Sequence, residues 1–413
     1  MREIISSIDI GTDKIKLVVG EYLNNDFNIL CALDEPTIGF ENYNIINEYD
    51  LIKGIKRIVD QANRKLNFKL KKIIVNIPTN LNDFVISDAT LTIKNEDLTV
   101  TSQDILKVIK NTAYNKININ NELISAIPIH FRVGDNETKD PFNKKGKNIS
   151  AKTVLVTASK REVYDIISIV EKCGLEVIEI TTTGLVDYYN FRNDYLDSKT
   201  GIIVNIGHSK TQVSVFSKGI YINNEVLPIG GENINKDISF IYKVKRKDAI
   251  KLKENLALAN IRRANPKEKM ILTNKEGEKL DINQYELTEI VSSRVIEILK
   301  LIKTSINHLT KKKISYIIIT GGLTELKDFN ISLTSLFGDT AQIGEINNLG
   351  ARNNKYSVCI GMIEYFKDKL RLRHRKYSTV GNIDIELMCN TDSKISEAND
   401  SILGKVFGYF FDN

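Results

Sequence analysis

Two short segments, nearly two hundred residues apart, carry the same set of groups for holding a phosphate. The first is Asp9-Ile10-Gly11-Thr12-Asp13-Lys14 and the second is Asn205-Ile206-Gly207-His208-Ser209-Lys210. In each, an acid or amide closes an apolar run, and a glycine, a hydroxyl residue and a lysine follow. The glycine lets the backbone approach an anion with its N–H groups exposed, and a carboxylate such as Asp9 can hold a hydrated cation. One copy is weak evidence, but the repetition points to two related halves that grip one nucleotide between them.

Two further glycine elements belong with these tips. The run Ile317–Thr320 breaks at Gly321-Gly322 before Leu323 and Thr324, where paired glycines would let a flat base or ribose lie against the backbone. Gly230 and Gly231 follow Pro228-Ile229 and open a helical pattern. A Walker A loop is absent, as is a G-x-G-x-x-G opening a helix after a strand.

The elements needed to position these groups can be read around them. Each tip joins an apolar strand (15–19, 211–216) to a turn (24–25, 218–219) and another strand. A helical pattern at 49–66 and a buried strand at 72–77 complete a first unit. An insert follows, with a strand at 85–93, a helix at 101–113 capped by Ser102, and strands near 123–133. A strand at 153–157 and a helix at 160–173, with Gly174 as its stop, return to a β/α rhythm. The second half repeats the scheme, with charged helices at 245–259 and 285–309, a hairpin at 270–281, a strand at 314–320 and a helix at 357–373.

The chain has 413 residues, enough for two or more domains with their own cores. Its 42% hydrophobic and 27% charged content is that of an ordinary globular protein, and a net charge of +6 without basic blocks does not imply nucleic acid. The four cysteines show no C-x-x-C spacing and the four histidines are scattered, which argues against a zinc site and fits a reducing cytoplasm. No signal peptide is read, nor any apolar run of the roughly 18 residues a membrane span needs.

From 377 to 399 the pattern becomes polar and aperiodic and reads as a linker. Beyond it, Ile402, Leu403, Val406, Phe407 and Phe410 recur at helical spacing, with Phe411 beside them and Asp400 or Ser401 as N-cap. Such a stripe serves either a final core helix or an interfacial membrane anchor, and the polar linker favours the anchor. Lys405 is its one basic residue, so apolar insertion and avidity would have to dominate. The basic run Lys369–Lys376 would either assist at an anionic surface or form a solvated helix end.

The order of two phosphate hairpins and a strand–Gly–Gly loop resembles the actin/Hsp70/sugar-kinase ATPase superfamily. Within it the chain is similar to the FtsA family of bacterial cell-division proteins over essentially its whole length. The similarity is carried by Ser7–Glu21, Ile124–Phe131, Asp140-Pro141-Phe142, Ile169–Val177, Leu227–Ile238, Ile317–Leu326 and the apolar tail. It implies an α/β, actin-like ATPase fold with two duplicated domains around a nucleotide cleft, an inserted small subdomain and a C-terminal amphipathic helix. The implied division is 1–79 with 156–199 (first core subdomain), 80–155 (inserted small subdomain), 200–231 with 310–376 (second core subdomain), 232–309 (second small subdomain), 377–399 (linker) and 400–413 (membrane-targeting helix).

The resemblance also implies ATP and Mg²⁺ as ligands. Asp9 would position the metal through water, and Gly11, Thr12 and Lys14 would touch the phosphates. Asn205, Gly207, His208, Ser209 and Lys210 would face them from the other side, Gly230 and Gly231 would line the floor, and Lys253, Gly321, Gly322 and Leu323 would meet the nucleoside. Implied partners are the C-terminal peptide of the tubulin-like protein FtsZ, an anionic membrane surface on the cytoplasmic side at the division site, and further copies of the chain in filaments.

The second hairpin departs from the pattern, because many relatives carry an acid and a glycine run where this chain has Asn205, His208 and Ser209, and Gln212 stands where a second acid often lies. An amide supplies no negative charge to a metal and polarises no water, so the expectation is ATP binding with weak or no hydrolysis. The competing readings are a catalytic phosphotransferase or phosphohydrolase such as a sugar kinase or exopolyphosphatase, which needs a carboxylate base, and a pilus-assembly actin-like protein. An Hsp70-like chaperone would need a substrate domain for which the length leaves no room.

Overall fold

The computed structural model describes residues 2–24 and 26–381. The chain opens with an antiparallel meander, β1 (Glu3–Ile10), β2 (Lys14–Leu23) and β3 (Asp26–Pro36). A small hairpin of β4 (Phe40–Glu41) and β5 (Asn44–Ile45) leads to α1 (Glu48–Leu66) and β6 (Lys72–Asn76). An insert follows: β7 (Asp83–Thr92), α2 (Ser102–Ala113), β8 (Asn121–Val133), β9 (Asn136–Thr138) and β10 (Asn148–Ser159). Then come α3 (Lys160–Lys172), β11 (Glu176–Thr181), α4 (Thr183–Phe191) and α5 (Asp194–Ser198).

The second half starts with another meander, β12 (Thr200–Ile206), β13 (Thr211–Ser217) and β14 (Ile220–Leu227). It continues through α6 (Gly231–Ile241), α7 (Arg246–Asn255), β15 (Lys269–Thr273), β16 (Lys279–Asn283) and α8 (Gln284–Leu309). It closes with β17 (Tyr316–Thr320), α9 (Phe329–Phe337), β18 (Ala341–Ile343) and α10 (Ser357–Leu372).

The duplication seen in the two tips extends to the sheets. One sheet runs β3-β2-β1-β6-β11 and the other β14-β13-β12-β17-β18, each a meander continued by two parallel strands. The central strands β1 and β12 are buried almost throughout; β12 is correspondingly apolar, whereas β1 buries Glu3, Ser6, Ser7 and Asp9 among its isoleucines. The insert forms its own four-stranded sheet, β7-β10-β8-β9.

Helix signals mostly act as the sequence suggests, with informative exceptions. Asn47 caps α1 through the Asp50 N–H, and Asn67 ends it in the left-handed conformation. The cap of α2 is Thr101, in a reciprocal box with Asp104, and not the expected Ser102. Ser102 is the first helical residue, and its hydroxyl donates to the Arg373 carbonyl at 2.7 Å. The helix expected over 245–259 stops at Asn255, and Ala259 N–H bonds the Lys327 carbonyl instead. The strand expected over 153–157 is longer (β10), because it is the central strand paired with both β7 and β8.

One core cluster joins the two sheets. Ile5, Val18 and Ile74 of the first sheet and Ile203, Phe216 and Ile318 of the second share it with side chains of α4 and α10. Asn190 of α4 donates to the Ser357 carbonyl at 2.5 Å, and Ser7 of β1 donates to the Cys359 carbonyl at 2.8 Å. Where the helices cross, Gly361 lies so close to the Val186 carbonyl that an added Cβ would fall well inside contact distance.

The stretch read as a linker from 377 begins differently. Thr379 N–H bonds the Ile4 carbonyl at 2.7 Å, its hydroxyl accepts from Ser6 N–H at 3.0 Å, and Val380 is buried in the first core. These residues therefore extend the fold along β1. The remainder of that stretch from 382, and the amphipathic segment 400–413, lie outside the described residues.

The basic run is also partly spent inside. Lys369 pairs with buried Glu179 at 2.7 Å, and Arg373 is buried, which leaves Arg371 and Lys376 exposed. Gly361→Ala should cost about 3 kcal/mol through overpacking at the helix crossing. Urea unfolding measures it, and a wild-type midpoint would show that the crossing is not tight.

Candidate functional site

The hairpin tips are built alike to the level of single atoms. Gly11 N–H bonds the Lys14 carbonyl at 3.1 Å, and Gly207 N–H bonds the Lys210 carbonyl at 2.9 Å. A Cβ on either glycine would sit 2.9 Å from that same carbonyl oxygen, so each turn excludes a side chain for the same reason. The register also matches, with Asp9 opposite Lys16 in the first hairpin and Asn205 opposite Gln212 in the second.

The tips meet across a cleft, with the Thr12 and Ser209 hydroxyls 2.9 Å apart. The cleft encloses about 610 Å³, within the range of small-molecule sites. Asp9, Gly11, Thr12, Lys14, Asn205, Gly207, His208, Ser209, Lys210, Gly231, Lys253, Gly321, Gly322 and Leu323 all line it. Gly230 does not. It packs beneath the second tip, where an added Cβ would lie 2.5 Å from the His208 carbonyl oxygen and 2.6 Å from that of Gly207.

Several lining groups were not singled out from the sequence. Lys16 pairs with Asp9 at 2.7 Å, whose second oxygen accepts from Asn76 at 2.9 Å. Burial works against the Lys16 charge, but Asp9 more than offsets it and the net effect raises the lysine pKa. The register would have exposed Lys16, since it faces Asp9 across a short hairpin. Lys355 and Asn354 reach the cleft from a segment without any motif, and Glu325 from the end of the double-glycine segment.

Three of the expected phosphate contacts are held sideways. Lys14 bonds Asp34 at 2.6 Å, and Lys355 holds the other Asp34 oxygen at 2.6 Å. Lys210 bonds Asn80 and lies 4.1 Å above the Tyr43 ring, and burial lowers its pKa. His208 Nε2 is 3.1 Å from Glu232 and 2.8 Å from an Arg246 nitrogen. Burial would raise the Glu232 pKa, but His208 and Arg246 hold it well below the usual carboxylate range. Lys253, near Gly231, has its pKa lowered mainly by burial.

Beneath Asn205 lies Asp187 of α4, fully buried, which accepts the Asn205 amide at 2.6 Å. Burial pushes its carboxyl up to about 7, and the Asn205 bond acts in the opposite direction. No sequence signal marked this residue, because α4 has neither a capping side chain nor a clear polar face. Among the described residues no cluster of three or more His, Cys, Asp or Glu could hold a metal, and no helix is long and apolar enough to cross a membrane.

Comparison with known proteins places this geometry. The family description "Cell division protein FtsA" matches residues 202–361, and "SHS2 domain inserted in FTSA" matches residues 83–157, the separate sheet and α2. The cell-division protein FtsA of Bacillus subtilis (strain 168) is 25% identical over 380 residues, covering 91% of this chain and 86% of that protein. The FtsA protein of Escherichia coli (strain K12) is 22% identical, covering 89% of this chain and 91% of its own.

The chain belongs to the FtsA family.

It is accordingly an actin-like cell-division protein. Solved structures with the same fold include the PilM-PilN type IV pilus biogenesis complex (TM-score 0.59, 12% identity, 89% of this chain and 98% of that one). Another is MreB5 of Spiroplasma citri bound to ADP (TM-score 0.55, 10% identity, 89% and 97%). The actin-like fold that the resemblance implied is shared with these solved structures, and the insert corresponds to the SHS2 match.

The double glycine separates two roles. Gly321 has φ +95°, and an added Cβ would clash with Ile206 backbone, whereas Cβ on Gly322 would meet nothing within 4 Å. Gly321→Ala should therefore lose about 2 kcal/mol or more, and Gly322→Ala should keep the wild-type thermal midpoint. Equal midpoints for the two would contradict this assignment.

Proposed function

We propose that this chain is an ATP-binding adaptor of cell division that couples FtsZ polymers to the cytoplasmic face of the membrane, with weak or no ATP hydrolysis. The observation that carries the reading is the pair of matching glycine tips facing each other across one cavity. A polyphosphate placed there would meet backbone N–H groups and the Thr12 and Ser209 hydroxyls from two sides, with Lys16 among the lining cations. The open face of Gly322 leaves room for a nucleoside against the backbone. The ADP bound to MreB5 of Spiroplasma citri, a protein of the same fold, is consistent with this choice.

Magnesium suits the donors present. Both Asp9 oxygens are already engaged, by Lys16 and Asn76, which favours contact through water over direct ligation, and Mg²⁺ usually keeps several waters. The Asn76 Oδ1 and Asp187 Oδ1 atoms are buried without a protein partner, as expected where ordered water belongs. Asp9 and Asn205 would hold the hydrated ion, whose chemistry is to neutralise phosphate charge. The strand-end pair of the second hairpin is Asn205 and Gln212, so neither supplies a carboxylate base there, which supports slow turnover.

Membrane attachment is assigned to 400–413 on the apolar stripe of its sequence, and family membership supports FtsZ docking and filament formation as part of the proposal. Liposome co-sedimentation tests the adaptor role, using the intact chain and one ending at Asn399, each with and without Mg-ATP. The expected result is loss of pelleting in the shorter chain and stronger pelleting of the intact chain with Mg-ATP. Equal pelleting of both would refute the anchor. In the same preparations Gly322→Ala should weaken ATP binding about tenfold, or about 1.4 kcal/mol, without loss of fold. Robust magnesium-dependent turnover would overturn the weak-hydrolysis assignment.

A further inference from the structure

The buried carboxylate under the second hairpin has no role in the fold that its contacts explain. Asp187 is fully buried; one oxygen accepts from Asn205, and the other has no partner of good hydrogen-bond geometry, although the Ser357 hydroxyl lies close enough to favour the charged form. A buried acid satisfied on one side alone is costly and calls for a reason. Its single bond, 2.6 Å, is to Asn205, the residue at the tip where the first hairpin carries Asp9.

The duplicated architecture supplies that reason. In the first half, an amide on a neighbouring strand (Asn76) donates to the carboxylate at the strand end (Asp9), at 2.9 Å. In the second half, the amide at the strand end (Asn205) donates to a carboxylate on a neighbouring helix (Asp187). The same kind of bond is present in both, with the acid and the amide exchanged.

Local packing explains how α4 delivers the acid. Gly184, in the first turn of α4, lies against Ser214, Tyr221 and Gln212 of the second meander so closely that no side chain would fit. Asp187 is three residues later, on the same face of the helix, and is thereby brought onto β12.

Beside a carboxylate the Asn205 amide has one good orientation. Its NH₂ faces Asp187, and with the carboxylate ionised the reverse would set two oxygens against each other. The amide oxygen is then directed away from Asp187. Asn205 lines the cleft, and no described protein group donates to that oxygen.

We propose that Asp187 is a positioning residue that locks the Asn205 amide so that its oxygen is presented to the hydrated magnesium of a bound nucleotide, replacing in two residues the strand-end acid that Asp9 provides in one. This inference rests on the nucleotide reading above and deepens it. It explains how a tip without a carboxylate still offers the cation an oxygen, held in place by an acid one layer below.

A swap of the two groups tests it. ATP binding to the full chain is measured with Mg²⁺ and with EDTA, for wild type, Asp187→Asn, Asn205→Asp, and the double variant Asp187→Asn/Asn205→Asp. Asp187→Asn frees the Asn205 amide to turn, and should weaken Mg-ATP binding about tenfold while metal-free ATP binding stays within about twofold. Asn205→Asp sets two carboxylates in contact and should also lose Mg-ATP affinity. The double variant restores an amide-to-carboxylate bond and should return Mg-ATP affinity to within about threefold of wild type.

Unchanged Mg-ATP binding in Asp187→Asn, or an equal loss with and without metal, would overturn the positioning role. If that single variant does not fold, the double variant decides alone. Recovery supports the inference, and either a folded double variant without Mg-ATP preference or a failure to fold overturns it, since exchanging the partners keeps the bond and its charge. Failure of wild type to bind ATP in either buffer would instead remove the nucleotide reading itself, a result distinguishable without any variant.

Discussion

Two helices, α4 and α10, form the layer shared by the two sheets, and the distance at which they cross sets everything in the cleft. At Gly361 the crossing is limited chiefly by backbone, the Val186 carbonyl, with the Asn190 side chain beside it. Interiors packed at this density do not yield smoothly, so a side chain there would push the sheets apart. The same crossing carries Ser7 and Asn190 to the α10 backbone and fixes β1 relative to β12. Because both tips end the central strands of their sheets, that spacing brings Thr12 within 2.9 Å of Ser209.

The cleft can thus be understood as a product of duplication modified by local charge. Backbone geometry at the tips is nearly identical, down to the glycine N–H bonds of 3.1 and 2.9 Å. The side chains have diverged. Asp9 and Lys16 form an ion pair across the first hairpin, and Asn205 and Gln212 stand at the same register in the second. The first tip carries an ion pair within its hairpin, whereas the second has none and leans on Asp187 below and on Glu232 with Arg246 at the rim.

Much of this was legible in the sequence because strand-ending Gly tips depend on local rules. A glycine whose Cβ would strike the carbonyl three residues on is required by the turn itself, so Gly11 and Gly207 could be recognised without tertiary information. The insert was visible as a break in the β/α rhythm, though its helix is capped by Thr101 and not Ser102. What could not be read was long-range. Lys355 reaches Asp34 across 321 positions, and Arg373 is buried although it lies in a basic run that composition alone would leave in solvent. Asp187 was hidden for a similar reason, since α4 is apolar nearly all round and its one acid looks like a solvent-facing residue until β12 is placed beneath it. The side-chain commitments of Lys14, His208 and Lys210 to Asp34, Glu232 and Asn80 are of the same kind.

The central claim is that both hairpins grip one nucleotide from opposite sides. A crystal structure of the full chain with magnesium and a non-hydrolysable ATP analogue tests it most directly. The account predicts phosphate oxygens within hydrogen-bond distance of backbone N–H groups in both tips, around Gly11 and around Gly207, and the nucleoside lying against Gly322. A nucleotide touching one tip only, or bound elsewhere on the molecule, would contradict it.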